Sequence, residues 1–400
     1  MIYKPFKDLQ LSWLGMGNMR LPKIEGQGEK INETKSRDII EYAYQNGVNY
    51  FDTAYRYHAG ESETFIGKAL EQFARNTFYL ATKMPGHMMS YEGGAFRFTG
   101  LLANAPSRSP REVFEEQLEK CRVDYFDFYL LHNLCETSYE FYTNEEICVI
   151  PYLLEQKQKG RIRHLGFSAH CRPETIDMFL NWSKKQFGDC FELVQIQLNY
   201  LDWTLQEAGK KYRIITEHGL PVITMESCRG GRLVTLGEKS DSLLKEKRPD
   251  DSIVSWAFRF LQSLANVQVV LSGMTAIEQL KENIALFSKN DPVTPDEKKL
   301  LDEATKPLLY LVPCTACHYC CEGCPKNLDI PKLIAMYNEA ANADNFAWMT
   351  LGFTLGAMKE TELPLSCIGC GACVKLCPQE IAIPDIMEKF ALMLAERKKA

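Results

Sequence analysis

Two runs of cysteines in the last quarter of the chain have the spacing of a metal-cluster module. The first, PCTACHYCCEGCP, follows the pattern C-x2-C-x2-C-x3-C-P, and SCIGCGACVKLCP repeats that pattern. A cubane 4Fe-4S cluster needs four thiolates that converge on a small volume, and a turning loop with a ligand at every third residue can supply three of them. The repeated motif therefore predicts two 4Fe-4S clusters.

The fourth cysteine of such a run typically binds the other cluster, so the spacing predicts two interleaved ligand sets. The first set is Cys314, Cys317, Cys320 and Cys377, and the second set is Cys324, Cys367, Cys370 and Cys373. Cys321 could compete with Cys320, but only Cys320 keeps both intervals of the motif. We therefore interpret Cys321 as a packing residue or a spare thiol.

Zinc and disulfides are the other interpretations of these cysteines. Zn²⁺ also accepts four thiolates, but usually from two separated C-x2-C pairs, whereas each motif here is one tight run followed by proline. Disulfides are typical of small secreted proteins. This chain has 400 residues, and its 15 cysteines are concentrated towards one end. The pattern favours iron–sulfur clusters.

A second set of candidate residues follows apolar, β-type runs in the first part of the chain. Asp52 lies at the end of one run, Tyr57 follows five residues later, and Lys83 and His132 end two further runs. Each residue alone is more often a helix cap or a structural side chain. Reduction of a carbonyl by a hydride needs a proton donor and a group that lowers the pKa of that donor. A tyrosine near a lysine can meet both needs.

Eight β-type runs alternate with helix-period segments between residues 11 and 287. They are LSWLGMG, VNYFDT, FYLATK, YFDFYLLH, IRHLGFS, LVQIQLN, LPVITM and VQVVLSG. Eight β/α units over this length fit a closed parallel barrel better than an open doubly wound sheet. We predict an α/β protein in which a (β/α)8 TIM barrel over residues 1–292 precedes a mainly α-helical, bacterial-ferredoxin-like two-cluster domain over residues 293–400.

The barrel region resembles the aldo-keto reductase family. FDTAYRY, ATKMP and LLHNL match the motifs around its catalytic tetrad, and the similarity continues through GFSAH, QIQLN and ENI. The resemblance implies that Tyr57 is the proton donor and that Lys83 eases its ionisation. It also implies that Asp52 pairs with the lysine and that His132 orients the substrate carbonyl. The whole chain resembles the branch of this family that carries a ferredoxin-like domain.

The same resemblance implies where a nicotinamide cofactor binds. Ser168 and Gln195 correspond to ligands of the nicotinamide carboxamide, Met225 to the position that flanks the ring, and Asn283 to a contact with the adenine end. The chain departs from the family pattern at Ala169, where a carboxamide-binding asparagine is expected.

The groups that commonly bind a 2′-phosphate are also missing. Gly273 and Gln279 stand where the family often has Lys and Arg. Without these cations the phosphate of NADPH would lose its charge-assisted hydrogen bonds. We therefore expect NADH to be favoured over NADPH.

Three functional hypotheses follow from these features. Hydride transfer moves two electrons, whereas a cluster ordinarily exchanges one. Electron transfer between a nicotinamide and a cluster therefore needs a carrier such as flavin, which accepts two electrons and passes them on one at a time. The first hypothesis is an iron–sulfur oxidoreductase that acts on a small carbonyl or alcohol substrate, with the clusters relaying electrons to or from a partner protein or a bound flavin. The second is an electron-transfer or docking protein with a non-catalytic barrel. The third is an ordinary reductase whose clusters are structural or oxygen-sensing.

Composition excludes some other classes of protein. The net charge of −6 argues against a nucleic-acid surface, which needs clustered Lys and Arg. The segment MIYKPFKDLQ has no basic stretch followed by an apolar run, so we expect a cytoplasmic protein. The most apolar stretch, 346–358, is shorter than the roughly 20 residues of a membrane span, so we expect a buried helix there.

Residues 86–108 form a long loop that serves either as a lid or as packing against the cluster domain.

Overall fold

The computed structural model describes most of the chain. It covers residues 1–99, 102–136, 138–171, 173–205, 207–309, 312, 314, 318–341, 355, 358–377 and 379–397. The predicted ligand Cys317 lies outside these ranges, as does the stretch 346–358 apart from residues 355 and 358. The chain divides into two compact units, Met1–Leu301 and Asp302–Ala400. The sequence-based boundary near residue 293 precedes this division and remains our proposal for the end of the barrel domain.

The first unit is built on a closed barrel of parallel strands. The strands in the described part of the chain are β1 (Tyr3–Phe6), β2 (Leu9–Ser12), β3 (Leu14–Gly17), β4 (Tyr50–Asp52), β5 (Tyr79–Met84), β6 (Met89–Glu92), β7 (Ala95–Phe98), β8 (Phe126–Leu134), β9 (Ile162–Ala169), β10 (Val194–Gln197), β11 (Val222–Met225) and β12 (Val267–Ser272). The barrel has the order β10-β11-β12-β3-β4-β5-β8-β9, and all neighbouring pairs are parallel. Each predicted β-type run overlaps one strand of the barrel. The prediction of a (β/α)8 barrel is confirmed.

Helices follow the barrel strands and form an outer ring. The helices that the structure describes are α1 (Glu33–Gln45), α2 (Glu61–Leu70), α3 (Pro110–Cys121), α4 (Tyr139–Thr143), α5 (Val149–Gln158), α6 (Pro173–Phe187), α7 (Asp202–Leu205), α8 (Ala208–Glu217), α9 (Glu238–Lys247), α10 (Ile253–Gln262), α11 (Ile277–Leu286), α12 (Pro295–Leu309), α13 (Tyr319–Glu322), α14 (Ile330–Ala340) and α15 (Ile383–Arg397). Local sequence explains where they begin. For example, Ser109 and Glu112 form a capping box around Pro110 at the start of α3.

An antiparallel hairpin of β1 and β2 closes the amino-terminal end of the barrel. Phe6 and Leu11 of the hairpin belong to the same buried cluster as Tyr50, Phe128 and Val269 of the barrel strands. The hairpin thus fills the end of the barrel where the strands begin. The carboxyl ends of the strands remain available for a site, as is usual for this fold.

The second unit is mainly helical, as predicted. Its core contains Leu333 and Ile334 of α14 and Met387 and Phe390 of α15. Buried Cys320 belongs to the same cluster, so the first cysteine motif packs directly on the helices. Among the described residues, none of the helices combines the length and the hydrophobicity that crossing a bilayer requires.

Candidate active site and cluster site

Three strands and one turn bring the four predicted catalytic residues together. Asp52 ends β4, Lys83 lies in β5, His132 lies in β8, and Tyr57 begins a short 3-10 turn. The Lys83 ammonium donates a hydrogen bond to Asp52 Oδ1 at 2.6 Å and lies 3.5 Å from the Tyr57 hydroxyl. The rings of Tyr57 and His132 meet edge to face, with 6.1 Å between their centroids. The four predicted catalytic side chains therefore lie close together at one site.

Lys83 is a buried cation whose charge is compensated. Besides its ion pair with Asp52, it donates to the carbonyl oxygen of Thr53 at 2.8 Å. Burial by itself would lower the pKa of Lys83, but the Asp52 carboxylate and Tyr57 raise it above its ordinary value. A buried charge persists only when it is paired and hydrogen-bonded. The site therefore keeps a fixed positive charge beside the Tyr57 hydroxyl.

The protonation states of Tyr57 and His132 are set mainly by burial. Burial raises the pKa of Tyr57, and although the Lys83 ammonium opposes this, the pKa stays above its ordinary value. The sequence analysis anticipated the effect of Lys83 but not the larger effect of burial. Burial also lowers the pKa of His132 well below its usual range. Near neutral pH, Tyr57 is therefore a protonated phenol and His132 a neutral imidazole.

A buried polar network holds the strand that carries Lys83. Gln117 of α3 donates to the Lys83 carbonyl oxygen at 3.0 Å and to Glu63 of α2 at 2.6 Å. Thr82 also donates to Glu63, at 2.6 Å. Burial raises the pKa of Glu63 to about 7. Sequence reasoning missed these residues, although Glu63 and Gln117 are polar positions on otherwise apolar helix faces.

The catalytic candidates open onto a cavity of about 590 Å³. Asp52, Tyr57 and His132 line it together with two of the predicted cofactor residues, Gln195 and Met225. A cavity of this volume is typical of small-molecule sites. The arrangement can therefore hold a small substrate beside a phenol, a neutral imidazole and a buried ammonium.

Two further histidines line the cavity and were not singled out from the sequence. His87 follows β5 and His170 follows β9. Burial lowers the pKa of each to about 4. The ring of His87 lies 4.5 Å from that of His132 between centroids. His87 and its neighbour Met88 show that the start of the long 86–108 segment contributes to the wall of the cavity.

These pKa directions predict a broad pH optimum for any reaction in the cavity that uses a protonated Tyr57 and neutral histidines. Tyr57 loses its proton only above a raised pKa, so its hydroxyl stays protonated as pH rises. His132, His87 and His170 gain a proton only below lowered pKa values, so neutral rings persist as pH falls. We expect the turnover number to change by less than about threefold from about pH 5.5 to about pH 9. Steady-state rates at saturating substrate and cofactor test this, and a loss of activity with a midpoint near pH 6.5 would contradict it.

The predicted nicotinamide ligands include an unsatisfied buried amide. Gln195 is 1% exposed, and its Oε1 atom has no hydrogen-bond partner among the residues that the structure describes. Buried polar atoms are rarely left in this state unless a ligand satisfies them. The Ser168 hydroxyl accepts a hydrogen bond from the backbone N–H of Asn133 at 2.8 Å. These side chains fit the polar edge of a carboxamide.

Asn133 offers a substitute for the asparagine that the family pattern places at Ala169. It follows His132 at the end of β8, lines the cavity, and lies against Ser168. Its Oδ1 atom is buried without a partner in the described part of the chain. An amide beside Ser168 is thus available from the neighbouring strand. The sequence analysis missed it because β8 and β9 are adjacent only in the folded barrel.

A second cavity, of about 350 Å³, shares lining residues with the first and is lined by a further predicted cofactor residue, Asn283. Arg20 and Gly273 line both cavities. The Asn283 amide donates to Ser272 Oγ at 3.2 Å. Gln279, the other position where a basic residue was expected, lines this second cavity. The two cavities together could accommodate an elongated dinucleotide.

The charges along the second cavity are mostly negative. Of the described residues that line it, Arg20 is the cation, whereas Glu226 and Glu282 are carboxylates. Arg20 Nη2 lies 3.6 Å from a Glu226 oxygen. The sequence analysis did not identify these three residues, since they come from β-strand ends and a helix that are distant along the chain.

In the second unit, four thiols line one cavity. They are Cys324, Cys367, Cys370 and Cys373, the second of the two predicted ligand sets. The rest of the wall is largely apolar, with Leu328, Ile383 and Met387 among its members. Four thiolates around a small apolar cavity are the donor set that a 4Fe-4S cluster requires. Cys324 comes from the first motif, so the two motifs interleave here.

Glycines allow the second motif to wrap around this cavity. Gly369 and Gly371 have φ values of +67° and +71°, a left-handed conformation that favours residues without a Cβ atom. Gly369 directly precedes the candidate ligand Cys370, and Gly371 directly follows it. The chain can therefore turn sharply between Cys367, Cys370 and Cys373.

The first predicted ligand set is described in part. Cys314, Cys320 and Cys377 all belong to, or pack against, the buried core of the second unit. Cys317 lies outside the described residues. Three thiols of this set are thus associated with the same core as Cys324, Cys367 and Cys373 of the other set.

Comparison with known protein families agrees with this arrangement. The sequence model of the aldo/keto reductase family matches residues 13–306, and that of a 4Fe-4S dicluster domain matches residues 313–382. The chain belongs to the aldo/keto reductase family. The resemblance stated from the motifs is confirmed, and the chain is an NAD(P)H-dependent oxidoreductase of the aldo-keto reductase type with an appended 4Fe-4S domain.

This aldo-keto reductase has similar proteins in several bacteria. It is 27% identical to the uncharacterized oxidoreductase YqkF of Bacillus subtilis over 76% of this chain and 95% of that protein. It is also 27% identical to the NADH-specific methylglyoxal reductase of Escherichia coli, over 71% of this chain and 92% of that protein. The holo form of aldo-keto reductase AKR11C1 from Bacillus halodurans is 26% identical and superimposes with a TM-score of 0.58. The superposition covers 76% of this chain and 96% of that chain.

Proposed function

We propose that this aldo-keto reductase is an iron–sulfur oxidoreductase that interconverts a small carbonyl and its alcohol, with Tyr57 as the proton donor. One observation carries the proposal. A protonated Tyr57 hydroxyl lies 3.5 Å from the buried Lys83 ammonium and opens onto a cavity of small-molecule size. A donor next to a fixed positive charge suits a reaction in which negative charge develops on oxygen.

Each side chain of the site has a separate role in the proposed reduction. A bound nicotinamide supplies the hydride. Tyr57 donates its proton to the substrate oxygen, and the Lys83 ammonium stabilises the phenolate that remains. Asp52 holds Lys83 charged and in position. The neutral His132 orients the carbonyl by a hydrogen bond, since it carries no charge of its own to compete with the donor.

The nicotinamide carboxamide would be bound by Ser168, Gln195 and Asn133, with Met225 beside the ring. Gln195 and Asn133 both have buried amide oxygens without a partner in the described chain. A carboxamide NH₂ group supplies two donors for such oxygens. Asn283 would lie near the adenine end of the cofactor.

NADH is the proposed cofactor. The second cavity has two carboxylates and one cation among its described lining residues, which is unfavourable for a dianionic 2′-phosphate. A carboxylate such as Glu282 can instead accept a hydrogen bond from the ribose 2′-hydroxyl of NADH. The E. coli relative with 27% identity is named as NADH-specific.

The substitution Glu282→Lys is expected to improve the binding of NADPH about tenfold and to weaken that of NADH about tenfold, because the acceptor for the ribose 2′-hydroxyl is lost. It removes one negative charge from the second cavity and adds a positive one. Dissociation constants measured by fluorescence titration test this. Glu278→Lys is the matched control, because Glu278 lies on the same helix but not among the described lining residues. Equal effects of the two substitutions would contradict a 2′-phosphate position near Glu282.

We also propose that the second unit relays electrons. Its two thiol sets would hold two 4Fe-4S clusters, Cys314, Cys317, Cys320 and Cys377 in one and Cys324, Cys367, Cys370 and Cys373 in the other. Such clusters supply one-electron transfer. Cys370 is exposed and its neighbour Ile368 is 60% exposed, so the second site has an edge that a redox partner protein could reach. A bound flavin is the alternative electron carrier. The proposed location is the cytoplasm, where thiols stay reduced.

The decisive experiment is anaerobic stopped-flow absorbance, with EPR of the frozen product, on cluster-reconstituted protein. The protein is mixed with NADH and then NADPH, each with and without flavin. Reduction of the clusters would support the relay. Unchanged clusters despite nicotinamide binding and carbonyl turnover would favour structural or oxygen-sensing clusters. Binding of neither nicotinamide nor flavin would favour a docking protein with a non-catalytic barrel.

A further inference from the structure

The second unit contains a group of potential metal ligands outside both cluster sets. His318, Cys321 and Asp329 each offer one ligand atom, and these three atoms lie within 4.8 Å of one another. His318 Nδ1 is 3.8 Å from Cys321 Sγ and 3.7 Å from an Asp329 carboxylate oxygen. Cys321 is the cysteine of the first run that the cluster spacing does not use.

Local backbone structure brings these side chains together. His318 adopts a left-handed conformation with φ of 62° directly before α13. The Cys321 N–H donates to the His318 carbonyl oxygen at 2.9 Å, so the two side chains are held one turn apart. Asp329 precedes α14 and accepts a hydrogen bond from the Lys332 N–H at 3.3 Å. The middle of the first cysteine motif and the residue that precedes α14 therefore meet at this point.

Two of the three distances between these atoms are close to those of a tetrahedral metal site, and the third is within 4.8 Å. Bonds of about 2.3 Å to sulfur, about 2.0 Å to nitrogen and about 2.1 Å to oxygen place tetrahedral S···N and N···O pairs about 3.5 Å and about 3.4 Å apart. The observed distances of 3.8 Å and 3.7 Å exceed these values only slightly. The His318 and Asp329 side chains are 60% and 50% exposed, so they are free to close the remaining gap.

We propose that His318, Cys321 and Asp329 bind one Zn²⁺ ion, with water as the fourth ligand. Imidazole, thiolate and carboxylate are the ligand types that zinc takes, and three protein ligands plus water form an open site. The thiolate and the carboxylate together balance the charge of the ion. The ion would join the first cysteine motif to α14. It uses none of the eight cluster cysteines, so zinc and both clusters are compatible in one molecule.

The test is zinc uptake by the full-length, cluster-reconstituted protein under anaerobic conditions. Zn²⁺ is added as its chloride, excess metal is removed by gel filtration, and zinc and iron are counted by elemental analysis. We expect one bound zinc per chain with iron unchanged at about eight per chain. Cys321→Ala and His318→Ala should each weaken zinc binding more than about tenfold without loss of iron. Cys148→Ala, which removes an exposed thiol of the barrel, should bind zinc normally.

Two further measurements keep the proposal falsifiable if an alanine variant assembles its clusters poorly. Asp329→Asn retains an acceptor for the Lys332 N–H but is a weaker ligand, so it should lower zinc affinity in a protein with intact clusters. Zinc X-ray absorption should show one sulfur at about 2.3 Å and otherwise nitrogen or oxygen ligands. Three or four sulfur ligands, a loss of iron as zinc is taken up, or unchanged zinc binding in the variants would overturn the proposal.

Discussion

Tyr57→Phe is expected to lower the turnover number for carbonyl reduction by about 10²- to 10⁴-fold, while NADH binding stays unchanged. The substitution removes the hydroxyl that lies 3.5 Å from Lys83 but keeps the aromatic ring. The substrate oxygen would then lack its proton donor at the moment when it becomes negative. Single-turnover absorbance at the nicotinamide band separates the hydride step from the binding of the cofactor.

Tyr55→Phe is the matched control for this experiment. Tyr55 is a buried tyrosine two residues away whose hydroxyl donates to Glu116 at 2.9 Å, and it does not line the 590 Å³ cavity among the described residues. Loss of the Tyr55 hydroxyl should change the turnover number by less than about threefold. If Tyr57→Phe retained full activity, the tyrosine would not be the donor, and another acid in the cavity would have to supply the proton.

The second large effect is expected from the cysteines of the interleaved cluster sets. Cys324→Ala should reduce bound iron from about eight to about four per chain, because one thiolate of the second cluster is lost. Cys324 and Cys370 line the same cavity although they belong to different motifs. Iron and acid-labile sulfide, measured per chain after anaerobic reconstitution, give the number of clusters directly.

Pairs of substitutions distinguish interleaved ligands from ligands grouped by motif. If the sets interleave, Cys324 and Cys370 bind the same cluster. The double substitution of both by Ala then removes only that cluster and leaves about four irons per chain. Cys324→Ala with Cys314→Ala then removes both clusters and leaves almost none. Ligands grouped by motif would produce the opposite pair of results. Cys148→Ala serves as the control, since this exposed cysteine lies in the barrel unit.

Much of the architecture could be predicted from local sequence patterns. The eight β-type runs each correspond to one barrel strand, because a buried parallel strand needs a short apolar segment between turn and helix signals. Asp52, Lys83 and His132 could be selected because they stand at strand ends, where barrel enzymes carry their chemistry. The cysteine ligands could be selected from spacing alone, since a cluster imposes fixed intervals on the loop that binds it.

Protonation was decided only by the folded structure. The sequence places a lysine near Tyr57, and its charge does favour the phenolate, but burial raises the pKa of the tyrosine by more. Burial likewise makes His87 and His170 neutral, with pKa values of about 4. The cost of desolvating a charge depends on everything packed around the group, and no local pattern records that environment.

The sequence by itself determined the type of each strand, the polar residues at the strand ends and the intervals between thiolates, since all of these are set by residues a few positions apart. Tertiary structure alone decided which distant residues meet. Asn133 lies beside Ser168 because β8 and β9 are neighbours in the closed barrel. Arg20 and Glu282 line one cavity because β3 and β12 are likewise neighbours in the barrel. Such pairings arise from the closure of the barrel and the packing of helices, which bring together segments whose separation along the chain carries no signal.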